Sequence, residues 1–252
     1  MNPLDFGAVH NYCDSNLADL HDRCLNILKE LQFEILLTED SYLFKARSNS
    51  IASSLITSLL DSFLSDAEEK LFGDFLEGLA IFIAGMTCGG HKSTAPGVDL
   101  EFVHKDIHYI VSVKSWPNWG NSSQQSKLEQ DLKNAVARVK QSRRGTNVQP
   151  VLGICYGKTR TSYLRGYMKV VGQNFWYLIS ENEHLYTDII EPVGYRAKEH
   201  NEAFLMKKNA LVNRFTGEFI GKFCDPNGVI DWVKLVEFNS GNFDLDKFLD
   251  IG

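Results

Sequence analysis

The sequence lacks most features that mark a secreted, membrane or zinc-stapled protein. Its five cysteines are an odd number, and none has the spacing of a zinc site. We expect them to be free thiols in a reducing compartment. No uninterrupted apolar run reaches the roughly 18–20 residues that span a bilayer, and the first residues lack the pattern of a signal peptide. A cytoplasmic protein without a membrane segment is therefore predicted.

Several enzyme signatures are also absent from the sequence. There is no Gly-x-x-x-x-Gly-Lys-Ser/Thr loop for a nucleoside triphosphate and no Gly-x-Ser-x-Gly elbow of a serine hydrolase. His104 and His108 do not form a His-Glu-x-x-His motif and are predicted to be surface residues. Cys88 and Cys155 have no local sequence feature that would activate a thiol, so a catalytic cysteine is not expected.

The charge is distributed unevenly along the chain. The net charge of −6 argues mildly against a nucleic-acid partner, because neutralising phosphates requires local positive charge. Residues 127–169, however, contain ten lysines and arginines against only Glu129 and Asp131. Such a basic stretch within an acidic protein indicates one anion-binding face.

Hydrophobic spacing and turn signals predict both helices and strands. The predicted elements are helices over 14–31, 51–64 and 65–84, a β-hairpin over 98–115, a basic helix over 122–143, strands over 151–156 and 167–171, and helices over 197–223 and 230–238. The third helix should open at the capping box of residues 65–68. Together they predict a single α/β domain over residues 1–252, with a helical N-terminal extension (1–64), a catalytic core (65–175) and a helical C-terminal part (176–252).

The predicted hairpin is the most informative segment. If Lys105 and Asp106 form its turn, Asp99 lies opposite Ser112, and Lys114 is its diagonal neighbour on the same face. The same register pairs apolar residues on the other face: Val98 with Val113, and Leu100 with Val111. A shift by one residue would destroy both agreements, so packing and chemistry select the same register.

The polar face of this hairpin carries Asp99, Glu101 and Lys114, a set that suits phosphodiester hydrolysis. Carboxylates can hold one or two Mg²⁺ ions, which neutralise a phosphate and lower the pKa of a water. A lysine can orient that water and offset charge in the transition state. An ordinary solvated hairpin face is the alternative, since charged residues are common there.

Several segments in order resemble the PD-(D/E)XK nuclease superfamily, and more specifically type II restriction endonucleases. They are Pro96-Gly97-Val98-Asp99, Val111-Ser112-Val113-Lys114, Pro117 to Gln124, Gly153 to Lys158, Gly172 to Trp176 and Ile230-Asp231-Trp232. The resemblance implies a mixed central sheet flanked by helices. It also implies a homodimer that cuts double-stranded DNA at a short palindromic site with Mg²⁺, alongside a partner DNA methyltransferase. By this resemblance Asp99 would be the primary metal ligand and Lys114 would position the nucleophilic water.

Ser112 departs from the family pattern, because the second acid normally lies two residues before the lysine. Some restriction enzymes take the missing acid from the following helix, where this chain has Glu129. Glu101, on the same face as Asp99, is a second candidate. The choice between Glu101 and Glu129 as metal ligand stays open at this point.

Glu77 is a third acid of interest, since it is the sole charged residue between Phe75 and Gly90. Burying an unpaired carboxylate costs several kcal/mol, so Glu77 should have a cationic partner. In related nucleases a glutamate from the helix before the hairpin approaches the metal, and Glu77 matches that position as a catalytic residue. A glutamate at a helix edge reaching water is the alternative.

Polar residues near the hairpin are candidates for DNA contacts. They are Asn118, Asn121, Ser122 and Gln124 in the following loop, and Lys158 and Arg160 after a predicted strand. Trp116 and Trp119 in the same loop either touch DNA or plug the core.

Two other functions are compatible with the sequence. A catalytically inactive DNA-binding or scaffold protein with a nuclease-like fold would account for Ser112. A repair nuclease that cuts structured or damaged DNA would use the same active-site residues.

Overall fold

A computed structural model describes residues 1–38, 41–47, 50–164, 166–194 and 197–241 of the chain. Its helices are α1 (Phe6–Glu30), α2 (Phe33–Leu36), α3 (Ser41–Ala46), α4 (Ala52–Cys88), α5 (Ser122–Ser142), α6 (Gln173–Ser180), α7 (Leu185–Asp188), α8 (Ile190–Gly194), α9 (Ala197–Phe223) and α10 (Trp232–Ser240). Its strands are β1 (His91–Lys92), β2 (Leu100–His104), β3 (Ile107–Lys114), β4 (Asn147–Ile154), β5 (Arg160–Leu164) and β6 (Tyr167–Val171).

The described strands form one six-stranded mixed sheet in the order β1-β2-β3-β4-β6-β5. β3, β4 and β6 run parallel, whereas β1, β2 and β5 are antiparallel to their neighbours. The long α5 helix makes the crossover between β3 and β4 that parallel neighbours require. The predicted fold class, a mixed central sheet flanked by helices with a helical N-terminal region, is therefore confirmed.

The hairpin of β2 and β3 has the predicted turn and register. Lys105 and Asp106 have φ angles of 49° and 60°, and two positive values are what a two-residue type I′ turn requires. Leu100 pairs with Val111 and the pairing continues without interruption to the turn. The apolar pattern of the two strands thus selects the register expected from sequence.

Before Leu100 the hairpin departs from the prediction. The amide of Asp99 donates to the carbonyl of Val111 at 2.9 Å, although Val111 already pairs with Leu100. Two residues opposite one is the arrangement of a β-bulge, which redirects the side chains that precede it. The predicted pairing of Val98 with Val113 on one face was therefore wrong: the two residues belong to different hydrophobic clusters.

The sheet is covered on both faces within one compact unit, Met1–Leu20 with Glu69–Ala197. On one face a cluster joins residues of α4 and α6 to the strands; it includes Leu79, Ile83, Leu100, Val111 and Trp176. On the other face α5 packs its apolar stripe against the sheet, and that cluster includes Val98, Ile110, Leu128, Leu132 and Val139. The face that carries Glu101 and Ser112 is thus covered by α5 rather than solvated.

A second compact unit, His21–Glu68 with Lys198–Gly252, is helical where it is described. Its core includes Leu55, Leu60, Phe215 and Phe219 from α4 and α9. The single domain over residues 1–252 stays a prediction.

The α4 helix is longer than predicted. Residues 51–64 and 65–84 were expected to be two helices, but the chain forms one helix of 37 residues. No proline or glycine interrupts residues 52–72, so the helix continues through the capping-box sequence, which lies at exposed or half-buried positions. By length and composition α4 could cross a membrane, but the core helix of a soluble protein passes the same test, and 44% of its most apolar stretch is buried in the protein.

Candidate active site

Asp99 is held at the bulge where β2 begins. Its Oδ2 accepts a hydrogen bond from the Val113 amide at 2.6 Å and one from the Ser112 hydroxyl at 3.3 Å. In an uninterrupted ladder the amide of Val113 would pair with backbone, so the carboxylate takes the place of a backbone acceptor. A side chain bonded to the sheet in this way has a fixed orientation.

Lys114 ends β3 beside this carboxylate. Its Nζ lies 3.9 Å from Asp99 Oδ2 and 5.7 Å from the centre of the Trp119 ring. The Lys114 side chain is 32% exposed and that of Asp99 is 19% exposed, so both are reachable from solvent. The structure therefore brings the predicted pair together in spite of the bulge.

Glu77 approaches the same place from α4. Its Oε1 lies 3.5 Å from the Nζ of Lys92 on β1, which supplies the cationic partner expected for this glutamate. Burial raises the pKa of Glu77, and the negative charge of Asp99 raises it further, while Lys92 and Lys114 oppose that shift. Glu77 is thus within electrostatic reach of both Asp99 and Lys114.

The chemistry of these donors fits a divalent cation. Two carboxylates that repel each other in a partly buried position are stabilised by a cation between them. Their oxygen atoms are the ligands that Mg²⁺ prefers, and Mg²⁺ keeps several waters beside one or two carboxylates. Among the described residues no group of three or more His, Cys, Asp or Glu side chains forms a closed metal cage. Asp99 and Glu77 are the two carboxylates that would hold such a cation here.

Cys155 lies under this site and is structural. Its amide donates to the Lys114 carbonyl at 2.9 Å, and its own carbonyl accepts from the Trp176 indole at 2.9 Å. Burial raises the pKa of the Cys155 thiol, and the charge of Glu77 raises it further. A protonated, buried thiol is not a nucleophile, in agreement with the sequence-based exclusion.

Glu101 is tied into a separate cluster on the α5 face. It accepts hydrogen bonds from the Ser93 hydroxyl at 2.5 Å and from His108 Nε2 at 2.9 Å, and Arg138 of α5 lies 3.6 Å away. Burial alone would raise the pKa of Glu101, but the hydrogen bonds from Ser93 and His108 and the charge of Arg138 lower it. His108, predicted at the surface, is buried against Glu101, and that prediction was wrong.

Glu129 occupies a different part of α5. It lines a cavity together with Gln130, Lys133, Pro150 and Tyr167. Glu101 and Glu129 thus lie in two different environments. A role for either residue as metal ligand stays a prediction.

The loop before α5 uses part of its polar side chains to start the helix. The Asn121 side chain accepts from the Gln124 amide at 3.0 Å, and the Gln124 side chain accepts from the Asn121 amide at 2.9 Å. This reciprocal pair is a capping box. Asn118 and Ser122 are exposed beside it. Contacts of these four residues with DNA stay predictions.

The two tryptophans of this loop have different environments. Trp119 is partly buried against the α5 cluster, so it helps to plug the core, whereas Trp116 is 47% exposed.

Lys158 and Arg160 are both exposed, but they do not share a loop. Arg160 begins β5, an edge strand that was not predicted from the sequence. The β5 residues are mostly exposed and lack the apolar alternation that identifies a strand. Contacts of Lys158 and Arg160 with DNA stay predictions.

Three residues around the site were missed from sequence. Lys92 and Ser93 follow a glycine pair that signals a loop, so nothing indicated that they would contact Glu77 and Glu101. His108 could have been found, because strand alternation places it on the same face as Ser112 and Lys114.

Comparison with known families gives one assignment. The family model described as Type II restriction endonuclease EcoO109I matches residues 7–201, which is most of the 252-residue chain and includes the whole sheet. No curated protein matches the sequence.

Proposed function

The chain belongs to the type II restriction endonuclease EcoO109I family, and on this premise we propose that it is a Mg²⁺-dependent endonuclease that cuts duplex DNA at a short, palindromic sequence. The observation that carries the proposal is the convergence of Asp99, Glu77 and Lys114 at the end of β3. Membership of this family implies a nuclease acting on DNA. The metal, the symmetry of the site and the cellular role are our proposals.

In the proposed mechanism Asp99 is the primary metal ligand and Glu77 the second. Bound Mg²⁺ would supply positive charge beside the scissile phosphate and acidify a water. The backbone amide of Val113 holds the Asp99 carboxylate in place, so the ligand needs no rearrangement. Glu77, whose pKa is raised by burial and by Asp99, is a carboxylate that a neighbouring cation would stabilise.

Lys114 would position the attacking water and offset charge on the phosphate. Its ammonium group is 3.9 Å from Asp99 Oδ2, and the Trp119 ring flanks it on the α5 side. The water oxygen would bond to phosphorus as the bond from phosphorus to O3′ breaks, and O3′ would take up a proton. Such a reaction leaves 5′-phosphate and 3′-hydroxyl ends.

The biological setting is also part of the proposal. We propose that a homodimer presents two such sites to the two strands of a palindrome. A DNA methyltransferase encoded nearby would protect the host sequence in the cytoplasm. Light scattering of the purified chain tests the dimer, and the neighbouring reading frames test the methyltransferase.

Incubation of the purified chain with plasmid DNA tests the proposed activity. We expect discrete bands with Mg²⁺ and none with EDTA. Asp99→Ala and Lys114→Ala should abolish cleavage while DNA binding survives, and Lys70→Ala, an exposed residue of α4, is the control. Wild-type rates in either active-site variant would overturn the assignment.

An inactive DNA-binding protein is the second candidate, favoured by Ser112 in place of an acid. The Ser112 hydroxyl donates to Asp99, as a serine can and an ionised acid cannot. Binding of DNA without cleavage at any Mg²⁺ concentration would favour this candidate. Preferential cutting of branched or damaged duplexes would instead indicate a repair nuclease.

A further inference from the structure

A second pocket lies on the α5 face of the hairpin, beside the candidate active site. Its volume is about 240 Å³, against the roughly 30 Å³ that one water occupies in the liquid. The residues that line it come from β1 to β3 and from the end of α5: His91, Lys92, Thr94, Glu101, His108, Arg138, Val139, Ser142 and Arg143. We call it the β1–α5 pocket.

Positive charge dominates this lining. Lys92, Arg138 and Arg143 are cationic, and Glu101 is the acidic residue among the lining side chains. The Glu101 charge is already compensated, because Ser93 and His108 donate to it and Arg138 lies 3.6 Å away. Lys92 is likewise paired with Glu77, and the charge of Arg143 adds to these pairs, so the pocket attracts an anion.

His108 provides an independent observation at this pocket. Its side chain is nine-tenths buried, and its Nε2 is occupied by Glu101 at 2.9 Å. Its Nδ1 is also buried, and among the described residues it has no hydrogen-bond partner. A buried polar atom without a partner costs free energy, so such atoms usually face a ligand or water. With Nε2 bonded to Glu101, Nδ1 is the ring atom left for a ligand in the pocket that His108 lines.

Two contacts fix this pocket relative to the active site. Lys92 lines the pocket and also pairs with Glu77 at 3.5 Å. Ser93 donates its hydroxyl to Glu101 and its amide to the Asp99 carbonyl at 3.1 Å. An anion in the pocket is thereby held at a set position beside Asp99 and Glu77.

We propose that the β1–α5 pocket binds a backbone phosphate of the DNA other than the one that is cut. Arg143 would supply the main neutralising charge beside the paired Arg138 and Lys92, and His108 Nδ1 would hydrogen-bond to one of its oxygens. This inference rests on the proposed function, because a duplex supplies a second phosphate a short distance from the scissile one. Contacts to phosphate set the register of a protein on DNA without reading its sequence.

The salt dependence of DNA binding tests the proposal without any cleavage. The full chain is titrated with a random-sequence duplex in EDTA, and the logarithm of the binding constant is plotted against the logarithm of salt concentration. Arg143→Ala should reduce the slope by about 1, as loss of one phosphate contact does. Arg144→Ala removes the same charge one residue further, outside the pocket lining, and should change the slope by less than half as much.

Inorganic phosphate provides a second measurement that needs no DNA. In spectra of the ¹⁵N-labelled chain, phosphate should shift the His108 Nδ1 resonance, assigned with His108→Gln. The shift should require at least tenfold more phosphate in Arg143→Ala than in Arg144→Ala. Equal slopes for the two arginine variants, or a His108 resonance that phosphate does not move, would overturn the proposal.

A wrong assignment of the pocket and a wrong assignment of the nuclease activity would give different experimental results. If plasmid is cut with Mg²⁺ but the arginine variants have equal slopes, the pocket assignment is wrong and the proposed activity stands. If phosphate moves His108 but the chain neither binds nor cuts DNA, the anion site is real and the proposed function is wrong.

Discussion

Asp99 and Glu101 are two residues apart at the start of β2, yet their surroundings are opposite. Asp99 faces the like charge of Glu77 and is reachable from solvent, with Lys114 at 3.9 Å. Glu101 is buried under α5, accepts two hydrogen bonds and has Arg138 beside it. The Asp99 carboxylate is repelled by a neighbouring carboxylate. The Glu101 carboxylate is stabilised by hydrogen bonds and by a nearby cation.

This difference indicates which carboxylates of such a sheet are suited to catalysis and which stabilise the fold. Repulsion between two carboxylates costs free energy, and a fold keeps it where a cation relieves it. Hydrogen bonds that lower a carboxylate pKa stabilise the folded protein instead. By this criterion we expect Asp99 with Glu77 to be the reactive region, and Glu101 with His108 to be the region that supports it.

The largest expected effect separates the two acids by cleavage rate. Asp99→Asn should lower plasmid cleavage about 1,000-fold or more, because a metal ligand supplies several kcal/mol and each 1.4 kcal/mol is tenfold. Glu101→Gln should cost about 10- to 100-fold, the size of a supporting residue's effect, since it acts on Asp99 through Ser93.

Single-turnover rates with Mg²⁺ give this comparison directly, with folding checked by circular dichroism. An equal loss in the two variants would make Glu101 a metal ligand, one of the two alternatives predicted from the sequence. The distinction between the two regions would then be wrong.

The second prediction concerns the loop that carries Asp99. Gly97 has φ +70°, and a Cβ there would lie 2.5 Å from the Asp131 carboxylate of α5. Gly97→Ala should lower the free energy of unfolding by about 2 kcal/mol or more, from backbone strain and this clash together. Urea titration measures the loss, and cleavage should fall with it because Asp99 is two residues away.

Gly89→Ala is the matched control, since Gly89 has φ +69° and open space around its Cβ position. It should cost only the strain of the backbone. Adding Asp131→Ala to Gly97→Ala removes the carboxylate but leaves the Cβ of residue 131 at 2.7 Å, so it should recover only part of the difference between the two glycine variants. No recovery would mean that the Asp131 carboxylate does not restrain the loop.

The hairpin register and the convergence of Asp99 with Lys114 were predictable from sequence, because alternation and turn residues specify which strand positions are neighbours. The bulge at Asp99 was not, since one extra backbone residue leaves no mark on the pattern. The burial of Glu101 and His108 also required tertiary information. Strand alternation placed them on a polar face, and only the packing of α5 shows that this face is covered.

A smaller effect is expected at the start of α5, the helix that brings Arg138 to Glu101. Asn121→Ala should lower stability by about 1 kcal/mol, because it removes the capping hydrogen bond to the Gln124 amide. Asn121→Ser keeps a capping oxygen and should restore most of the loss. If both variants instead weaken duplex binding in EDTA equally, Asn121 contacts DNA as predicted from sequence.

The smallest expected effect is on the pH dependence of the free energy of unfolding in EDTA. Glu77 and Glu101 should contribute slopes of opposite sign to it. The pKa of Glu77 is raised above its ordinary value of 4.5 by burial and by Asp99. The folded state therefore holds more protons than the unfolded state just above pH 4.5, and stability falls as pH rises through that window. The pKa of Glu101 is lowered from 4.5, so its contribution is present above pH 4.5 and is lost as pH falls through the lower folded value.

One substitution should thus change the pH dependence of stability above pH 4.5, and another should change it below pH 4.5. Relative to wild type, Glu77→Gln should flatten the decline above pH 4.5, and Glu101→Gln should flatten the decline below it. Urea titrations from pH 3.5 to 7 resolve the two slopes. Mg²⁺ should abolish the Glu77 slope in the wild type, because a bound cation removes the repulsion from Asp99, and should leave the Glu101 slope unchanged. A Mg²⁺ effect on the Glu101 side would instead place the cation between the two regions, and the separation argued from their hydrogen bonds would be wrong.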